Sequence, residues 1–266
     1  MKKITKIFIV IVLAVASVSS VNSQDVINRI KESGELRVGT TGNQPPYSLK
    51  TKENKIIGYE MDLAALLAAS MNVELKIVEM PFSELLNSLS AGKVDIVMSG
   101  MTITMERNMG AAFIGPYMIS GKSILTKNAN LEKLDEQAEI DNEAVTLVAL
   151  KGSTSEKFVT NFLPKAKLIA AKNYDEAVKL VMEDKAAAMV SDAEIIAVTM
   201  MRYPNSDLTA LSEPLTIEPI GMALPTNDYL FLNLVENFFA ELQMTGLLEQ
   251  LQANWFDNGN WLLQMK

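Results

Sequence analysis

An arginine and the small polar segment before it are the residues best suited to bind a charged ligand. The segment follows an apolar run at 94–98 that predicts a buried strand, and it contains Ser99, Gly100 and Thr102. Backbone N–H groups and hydroxyls at the carboxyl end of such a strand lie where α/β sheets bind ligands. Arg107 then supplies a planar guanidinium, which matches a carboxylate through two parallel hydrogen bonds. The alternative is a solvated arginine paired with Glu106 or another acid.

A second polar turn, at residues 152–156, has both a structural and a functional interpretation. Ser153 and Glu156 have the spacing of a capping box, which favours a structural role at the start of a helix. A helix N-terminus with free N–H groups also attracts anions. The turn is therefore a second candidate for binding an anionic group.

Asp192 follows an apolar strand predicted at 187–190 and precedes an apolar helix predicted at 194–201. Its carboxylate could cap that helix. It could equally accept hydrogen bonds from a cationic ligand group. The residues by themselves leave both interpretations open.

The residue inventory excludes several kinds of chemistry. The chain has no histidine and no cysteine, which excludes imidazole triads, thiolate nucleophiles, disulfides and most zinc sites. We predict neither a cofactor nor a metal. The 32 acidic residues exceed the 24 basic ones, and the formal net charge of −8 disfavours nucleic acids and anionic membranes as partners.

Two alternating series of strands and helices must position these residues. The first predicts strands at 36–40, 73–78 and 94–98, with helices at 59–71 and 83–91. The second predicts strands at 145–150, 168–171 and 187–190, with helices at 154–162 and 175–182. Each βαβαβ series predicts a parallel sheet with helices on its faces. The predicted fold class is therefore α/β with two lobes.

The C-terminal helices, predicted between residues 228 and 256, are too few to form a lobe and should pack onto the first one. The chain then crosses between lobes twice, near residues 119–125 and 217–224, and two crossings form a hinge. The predicted domains are lobe 1, residues 24–120 plus 222–266, and lobe 2, residues 121–221. A small ligand would bind in the cleft between them.

The N-terminal residues are typical of a secretory signal peptide, predicted at residues 1–23. Lys2, Lys3 and Lys6 precede an apolar run at 7–16 and a small polar stretch at 17–23. The run is too short for a transmembrane helix, and no later run is long enough. The absence of cysteine removes the site of a lipid anchor. These features predict a freely soluble periplasmic protein.

Four motifs together resemble a known family. They are Leu36-Arg-Val-Gly-Thr-Thr-Gly, Ile57-Gly-Tyr-Glu-Met-Asp-Leu-Ala, Ser99-Gly-Met-Thr-Ile-Thr-Met-Glu-Arg107 and Gly115-Pro-Tyr. The mature chain resembles, over essentially its whole length, the family-3 bacterial extracellular solute-binding proteins, which bind polar amino acids for ABC importers. The resemblance implies a type II periplasmic binding protein fold, hinge closure around an α-amino acid, and an inner-membrane ABC permease as partner.

The resemblance also implies roles for individual residues. Arg107 would hold the ligand carboxylate, with help from Thr154 in the second lobe. Asp192 would accept hydrogen bonds from the α-ammonium group of the ligand. Arg107 and Asp192 would thus bind the two charged groups of a zwitterion from opposite lobes. Neither contact is complete until the lobes close.

Three further positions bear on the ligand side chain. In the family, Phe82 lies where an aromatic wall is common, although core packing explains it equally well. The resemblance places Gln44 at the opposite wall, with Tyr47 a little further along the chain. A glutamine where the family often has an aromatic residue predicts a more polar pocket. Thr41 stands where binders of Lys or Arg often carry an acid, which argues against a cationic side chain.

Two alternatives to a transport role remain at this stage. The opening at residues 39–42 also resembles periplasmic cyclohexadienyl dehydratases, which eliminate water from prephenate or arogenate and need a general acid. Glu194 is the candidate for that acid. A module that reports ligand to a membrane sensor is the third possibility. The leading hypothesis is a monomeric, non-enzymatic binding protein.

Overall fold

The computed structural model describes residues 26–127 and 140–266. Thirteen strands are present in these ranges: β1 Glu35–Thr40, β2 Asn43–Gln44, β3 Ser48–Lys50, β4 Ile56–Ile57, β5 Glu74–Glu79, β6 Ile96–Val97, β7 Ala112–Ser120, β8 Lys122–Thr126, β9 Thr146–Leu150, β10 Lys167–Ala171, β11 Ala188–Asp192, β12 Thr209–Ala210 and β13 Glu218–Leu224. They form two five-stranded sheets and one small three-stranded sheet.

The two large sheets divide the chain into two lobes. The first has the order β5-β1-β6-β13-β7, and the second has the order β10-β9-β11-β8-β12. In the first sheet the strands β5, β1 and β6 are parallel, and in the second sheet β10, β9 and β11 are parallel. The two sheets confirm the predicted α/β fold class.

Helices cover the faces of both sheets. The α-helices are Val26–Ser33, Tyr59–Ser70, Leu85–Ser90, Met105–Asn108, Thr154–Phe162, Tyr174–Met182, Ala193–Arg202, Tyr229–Met244 and Leu247–Gln252. Short 3₁₀ turns lie at Phe82–Glu84 and Asn260–Gln264, and a π-type turn lies at Ala253–Asp257. Helix Tyr229–Met244 buries one apolar face, formed by Phe231, Val235, Phe238, Phe239 and Leu242. It packs on β7 and so joins the first lobe, as predicted.

Most predicted elements are present within one or two residues of their expected ends. The strand predicted at 94–98 is regular only at Ile96–Val97. The N–H groups of Asp95 and Met98 still donate to the carbonyls of Arg37 and Gly39 at its two ends. The helix predicted at 83–91 begins as a 3₁₀ turn at Phe82–Glu84, directly after Pro81, whose backbone is extended.

The chain passes between the sheets where β7 continues into β8 through Gly121, and where it returns along β13. β13 pairs with β7 from Glu218 opposite Ser120, so the domain boundary predicted at 222 falls inside this strand. The exact division stays a prediction. The predicted signal peptide lies outside the described residues. Within those residues, no helix is both long and apolar enough to span a membrane.

Candidate functional site

The loop of residues 99–102, hereafter the ligand loop, follows β6 at the edge of the first sheet. The Ser99 hydroxyl lies 3.2 Å from Gln44 Oε1 and 3.3 Å from Thr41 Oγ1, and it also accepts a hydrogen bond from the Thr41 N–H. Gly100 adopts a φ of 53°, in the left-handed region that favours glycine. The Gly100 N–H donates to Glu60 Oε1 at 2.7 Å. The loop is therefore held from below by buried polar side chains.

Gly100→Ala should lower the free energy of unfolding by more than Gly92→Ala. Both glycines have positive φ, and the left-handed conformation costs a residue with a Cβ about 1–2 kcal/mol. A Cβ at Gly92 meets nothing within 4 Å, whereas one at Gly100 would lie 2.1 Å from Gln44 Nε2. Gln44 is fully buried and held at its Oε1 atom, so it cannot move aside freely. Urea denaturation of both variants measures the difference, and equal losses would contradict the contact.

Arg107 lies in the short helix Met105–Asn108, which Thr104 caps by accepting from the Arg107 N–H. Its Nη1 donates to the Thr102 carbonyl at 2.8 Å, and its Nη2 donates to the Gly152 carbonyl of the other lobe at 3.2 Å. The guanidinium carbon is 5.6 Å from the centre of the Phe82 ring. Burial lowers the pKa of Arg107, and the Asp192 carboxylate opposes that shift. The guanidinium thus faces the second lobe.

The solvated pairing of Arg107 with Glu106 is absent from the described contacts, because Glu106 forms its ion pair with Lys157 of the second lobe. Lys157 belongs to helix Thr154–Phe162, so this exposed pair also joins the two lobes. Arg107 is left to interact with carbonyl oxygens and an aromatic ring. Such a guanidinium retains donors for a carboxylate.

The second polar turn faces the ligand loop. Ser153 caps helix Thr154–Phe162 by accepting from the Glu156 N–H, and the Glu156 carboxylate accepts from the Gly152 N–H. The capping role predicted for Ser153 is confirmed. Thr154 Oγ1 lies 3.3 Å from Thr102 Oγ1, which brings the two polar turns into direct contact across the lobes. A ligand anion bound here would be reached from both sides.

Asp192 ends β11 at the position before helix Ala193–Arg202. Asp192 occupies the N-cap position of this helix, as the capping interpretation expects, but in the described structure its side chain makes no capping hydrogen bond. Its Oδ1 instead lies 2.5 Å from Lys122 Nζ, and the same ammonium is 3.4 Å from Glu218 Oε2. Both Lys122 and Asp192 are buried. A ligand ammonium would share the Asp192 carboxylate with Lys122.

Lys122 is a residue that sequence reasoning missed. Its sequence position carried a signal, because Lys122 lies in a predicted crossing strand, directly before Ser-Ile-Leu-Thr. A lysine buried in such a strand needs an acidic partner. Tyr174 was also missed. It is buried, and its pKa is raised by burial and by the negative charge of Asp192.

The predicted side-chain pocket is partly present. Phe82 and Thr41 line a cavity of about 280 Å³ whose walls come from both lobes: Thr41, Asn43, Glu79, Met80, Pro81, Phe82, Lys172 and Asn173. Phe82 is nearly fully buried and lies under Arg107. Gln44 and Tyr47 have no exposed surface, and Gln44 supports Ser99 from below. Their contact with ligand stays a prediction.

Glu194 lies in the first turn of helix Ala193–Arg202 and accepts a hydrogen bond from the Ser120 hydroxyl at the hinge. Burial raises the pKa of Glu194, and the charge of Asp192 adds to that shift. The side chain lines a cavity of about 500 Å³ between this helix and the C-terminal segment, where Trp255, Phe256 and Trp261 form an apolar wall. Neither Arg107 nor Asp192 lines this larger cavity.

The structure brings Arg107, Thr102, Thr154 and Phe82 together at the interface of the lobes. Asp192 lies near enough that its charge acts on the pKa of Arg107. Two lobes joined by crossing strands, with cationic and anionic groups at their interface, define a two-lobed solute-binding protein. Comparison with known proteins agrees with this class.

Residues 36–258 match the model of the bacterial extracellular solute-binding proteins, family 3. The chain is 30% identical to cyclohexadienyl dehydratase of Pseudomonas aeruginosa, over 92% of this chain and 91% of the relative. It is 27% identical to the L-cystine-binding protein of Escherichia coli, over 93% and 92% respectively. It is similar in structure to an ancestral amino acid-binding protein described as a precursor of cyclohexadienyl dehydratase, with a TM-score of 0.80, 34% identity and coverage of 86% and 99%. The chain belongs to the bacterial extracellular solute-binding proteins, family 3.

Proposed function

We propose that this chain is a non-enzymatic, periplasmic binding protein that captures an α-amino acid or similar small zwitterion and delivers it to an ABC importer. The observation that carries this proposal is the placement of Arg107 between the two lobes. Its guanidinium contacts backbone carbonyls on both sides, and Thr102 and Thr154 meet beside it. A carboxylate bound there would gain contacts with both lobes and so favour closure.

The α-ammonium group of the ligand would bind to Asp192. Lys122 occupies Oδ1 of this carboxylate, so the ligand would bind through the other oxygen. Lys122 lies within ion-pair distance of two carboxylates, Asp192 and Glu218, so the cluster keeps a net negative charge that a ligand ammonium would offset. Relatives whose names specify cystine, arginine and histidine binding support an amino acid as the ligand class.

A thermal denaturation panel with each standard amino acid tests this function. A ligand present at about 100 times its dissociation constant adds roughly 2.7 kcal/mol to the free energy of unfolding. We expect one or a few amino acids to raise the melting temperature, and their decarboxylated amines to have no effect. If no amino acid stabilises protein from which bound solute has been removed by unfolding and refolding, amino acid recognition is contradicted.

A second candidate is dehydration of prephenate or arogenate, favoured by the state of Glu194. A general acid must hold its proton near neutral pH, and burial raises the pKa of this carboxyl. The relative from Pseudomonas aeruginosa carries the name of this activity. The acidic side chains Glu194, Glu249 and Asp257 line the cavity, with no basic residue among its walls, which disfavours an anionic substrate at that place.

Incubation with prephenate and detection of phenylpyruvate separates the two candidates. For a binding protein we expect no turnover above buffer. If turnover occurs, Glu194→Gln should abolish it, whereas Glu249→Gln, on the exposed edge of the same cavity, should not. Turnover lost in the first variant alone would establish the enzyme.

A further inference from the structure

Glu60 is a carboxyl group with no exposed surface, placed beneath the ligand loop. It lies in the first turn of helix Tyr59–Ser70 and is one of the buried residues of that helix. Its Oε1 accepts one hydrogen bond from the Gly100 N–H at 2.7 Å and another from the Tyr117 hydroxyl. Within the described residues its Oε2 has no partner.

Burying this carboxyl is costly. A buried carboxyl loses its hydration, and here no cation is within ion-pair distance among the described residues to offset the loss. A helix N-terminus favours an acid, but an exposed one gains the same benefit without the cost of burial. The role of a buried carboxyl at this position therefore lies in its contacts with the ligand loop and with β7.

The Gly100 N–H needs such an acceptor. With φ at 53°, the backbone at Gly100 turns away from the sheet, and its N–H points into the lobe interior. An unpaired buried N–H is costly enough that native structures nearly always avoid it. Among the described hydrogen bonds, Glu60 is the acceptor for this group.

The loop in turn positions the candidate carboxylate site. Ser99 precedes Gly100 and Thr102 lies two residues after it, and the Thr102 carbonyl accepts from Arg107 Nη1 at 2.8 Å. The Thr102 hydroxyl is the group that meets Thr154 of the second lobe. Displacement of Gly100 would therefore move both the arginine anchor and the contact between lobes.

We propose that Glu60 is a positioning residue, which fixes the ligand loop through the Gly100 N–H without touching the ligand. The inference rests on the proposed function in one respect, namely that this loop binds the ligand. Glu60 is joined to the loop and to Tyr117 on β7 through the same oxygen. Tyr117→Phe removes one of its contacts and Glu60→Leu removes both, so the two variants distinguish positioning of the loop from general support of the core.

Amide hydrogen exchange in ligand-free protein, followed by NMR, tests the inference. We expect the Gly100 amide to exchange at least tenfold faster in Glu60→Leu than in the unmodified protein. In Glu60→Gln the amide oxygen can still accept from both the Gly100 N–H and the Tyr117 hydroxyl, so most of the protection should return. Amides of helix Tyr59–Ser70 serve as the reference for global opening.

Tyr117→Phe is the matched control, because it removes the other partner of Glu60 Oε1 and leaves the Gly100 contact intact. We expect lower global stability in this variant, with Gly100 exchange unchanged relative to the reference amides. Acceleration of Gly100 exchange in Tyr117→Phe as large as in Glu60→Leu, relative to the reference amides, would overturn the inference. If Glu60→Leu does not fold, Tyr117→Phe decides: Gly100 exchange unchanged relative to the reference amides supports the inference, and Gly100 exchange faster than theirs overturns it. Since no ligand is present, failure of amino acid recognition leaves this result unaffected.

Discussion

Arg107→Ala should weaken amino acid binding by about 30-fold to several thousand-fold, a loss on the order of 2–5 kcal/mol. The variant leaves a ligand carboxylate buried between the lobes without its charged partner. It also removes the donors to the Thr102 and Gly152 carbonyls, so the closed arrangement loses contacts on both sides. Isothermal titration calorimetry with the amino acid that gives the largest thermal shift measures the effect.

Arg202→Ala provides a matched control for the loss of an arginine. Arg202 pairs with Asp175, and its guanidinium carbon is 5.6 Å from the Tyr203 ring centre, the same distance as between Arg107 and Phe82. It ends helix Ala193–Arg202 and has no contact with the ligand loop among the described hydrogen bonds. Its removal should change affinity by less than about twofold, within the usual range of a surface substitution. Similar losses in both variants would show that Arg107 has no special role.

The parts of the site that lie close together in sequence were predictable. The segment from Ser99 to Arg107 is continuous, so the end of one predicted strand placed the hydroxyls and the guanidinium at the same sheet edge. The helix start at Ser153 follows from capping chemistry, and the structure has this cap. Local rules of this kind also gave the strands and helices of both lobes.

The contacts between distant residues were not predictable in the same way. Lys122 meets Asp192 because β8 and β11 pair antiparallel, with these two residues in register. Glu60 reads in sequence as an ordinary acid near a helix N-terminus, and its burial depends on Tyr117 and Gly100, which are far along the chain. Periodicity identifies apolar faces, but it does not show which polar side chain is enclosed once two elements pack.

The enclosed Glu60 should make stability depend on pH in the neutral range. Burial raises the pKa of Glu60 to about 7, although its bonds from Tyr117 and Gly100 act in the opposite direction. Between the ordinary value of 4.5 and about 7, the folded chain holds a proton that the unfolded chain has released. The free energy of unfolding should therefore fall as pH rises through this range, by up to roughly 3 kcal/mol, and level off above it.

Glu60→Gln isolates this contribution, because it keeps the shape of the side chain and removes its titration. The tyrosines around Glu60 remain neutral throughout, since burial raises the pKa values of Tyr47, Tyr59 and Tyr117 above their ordinary value. Glu194 also has a raised pKa and contributes in the same direction, but it does so in both proteins. Urea denaturation at pH 5, 6, 7 and 8 should therefore give a difference between wild type and Glu60→Gln that changes with pH up to about 7 and then levels off. Parallel curves would mean that Glu60 does not titrate in this range.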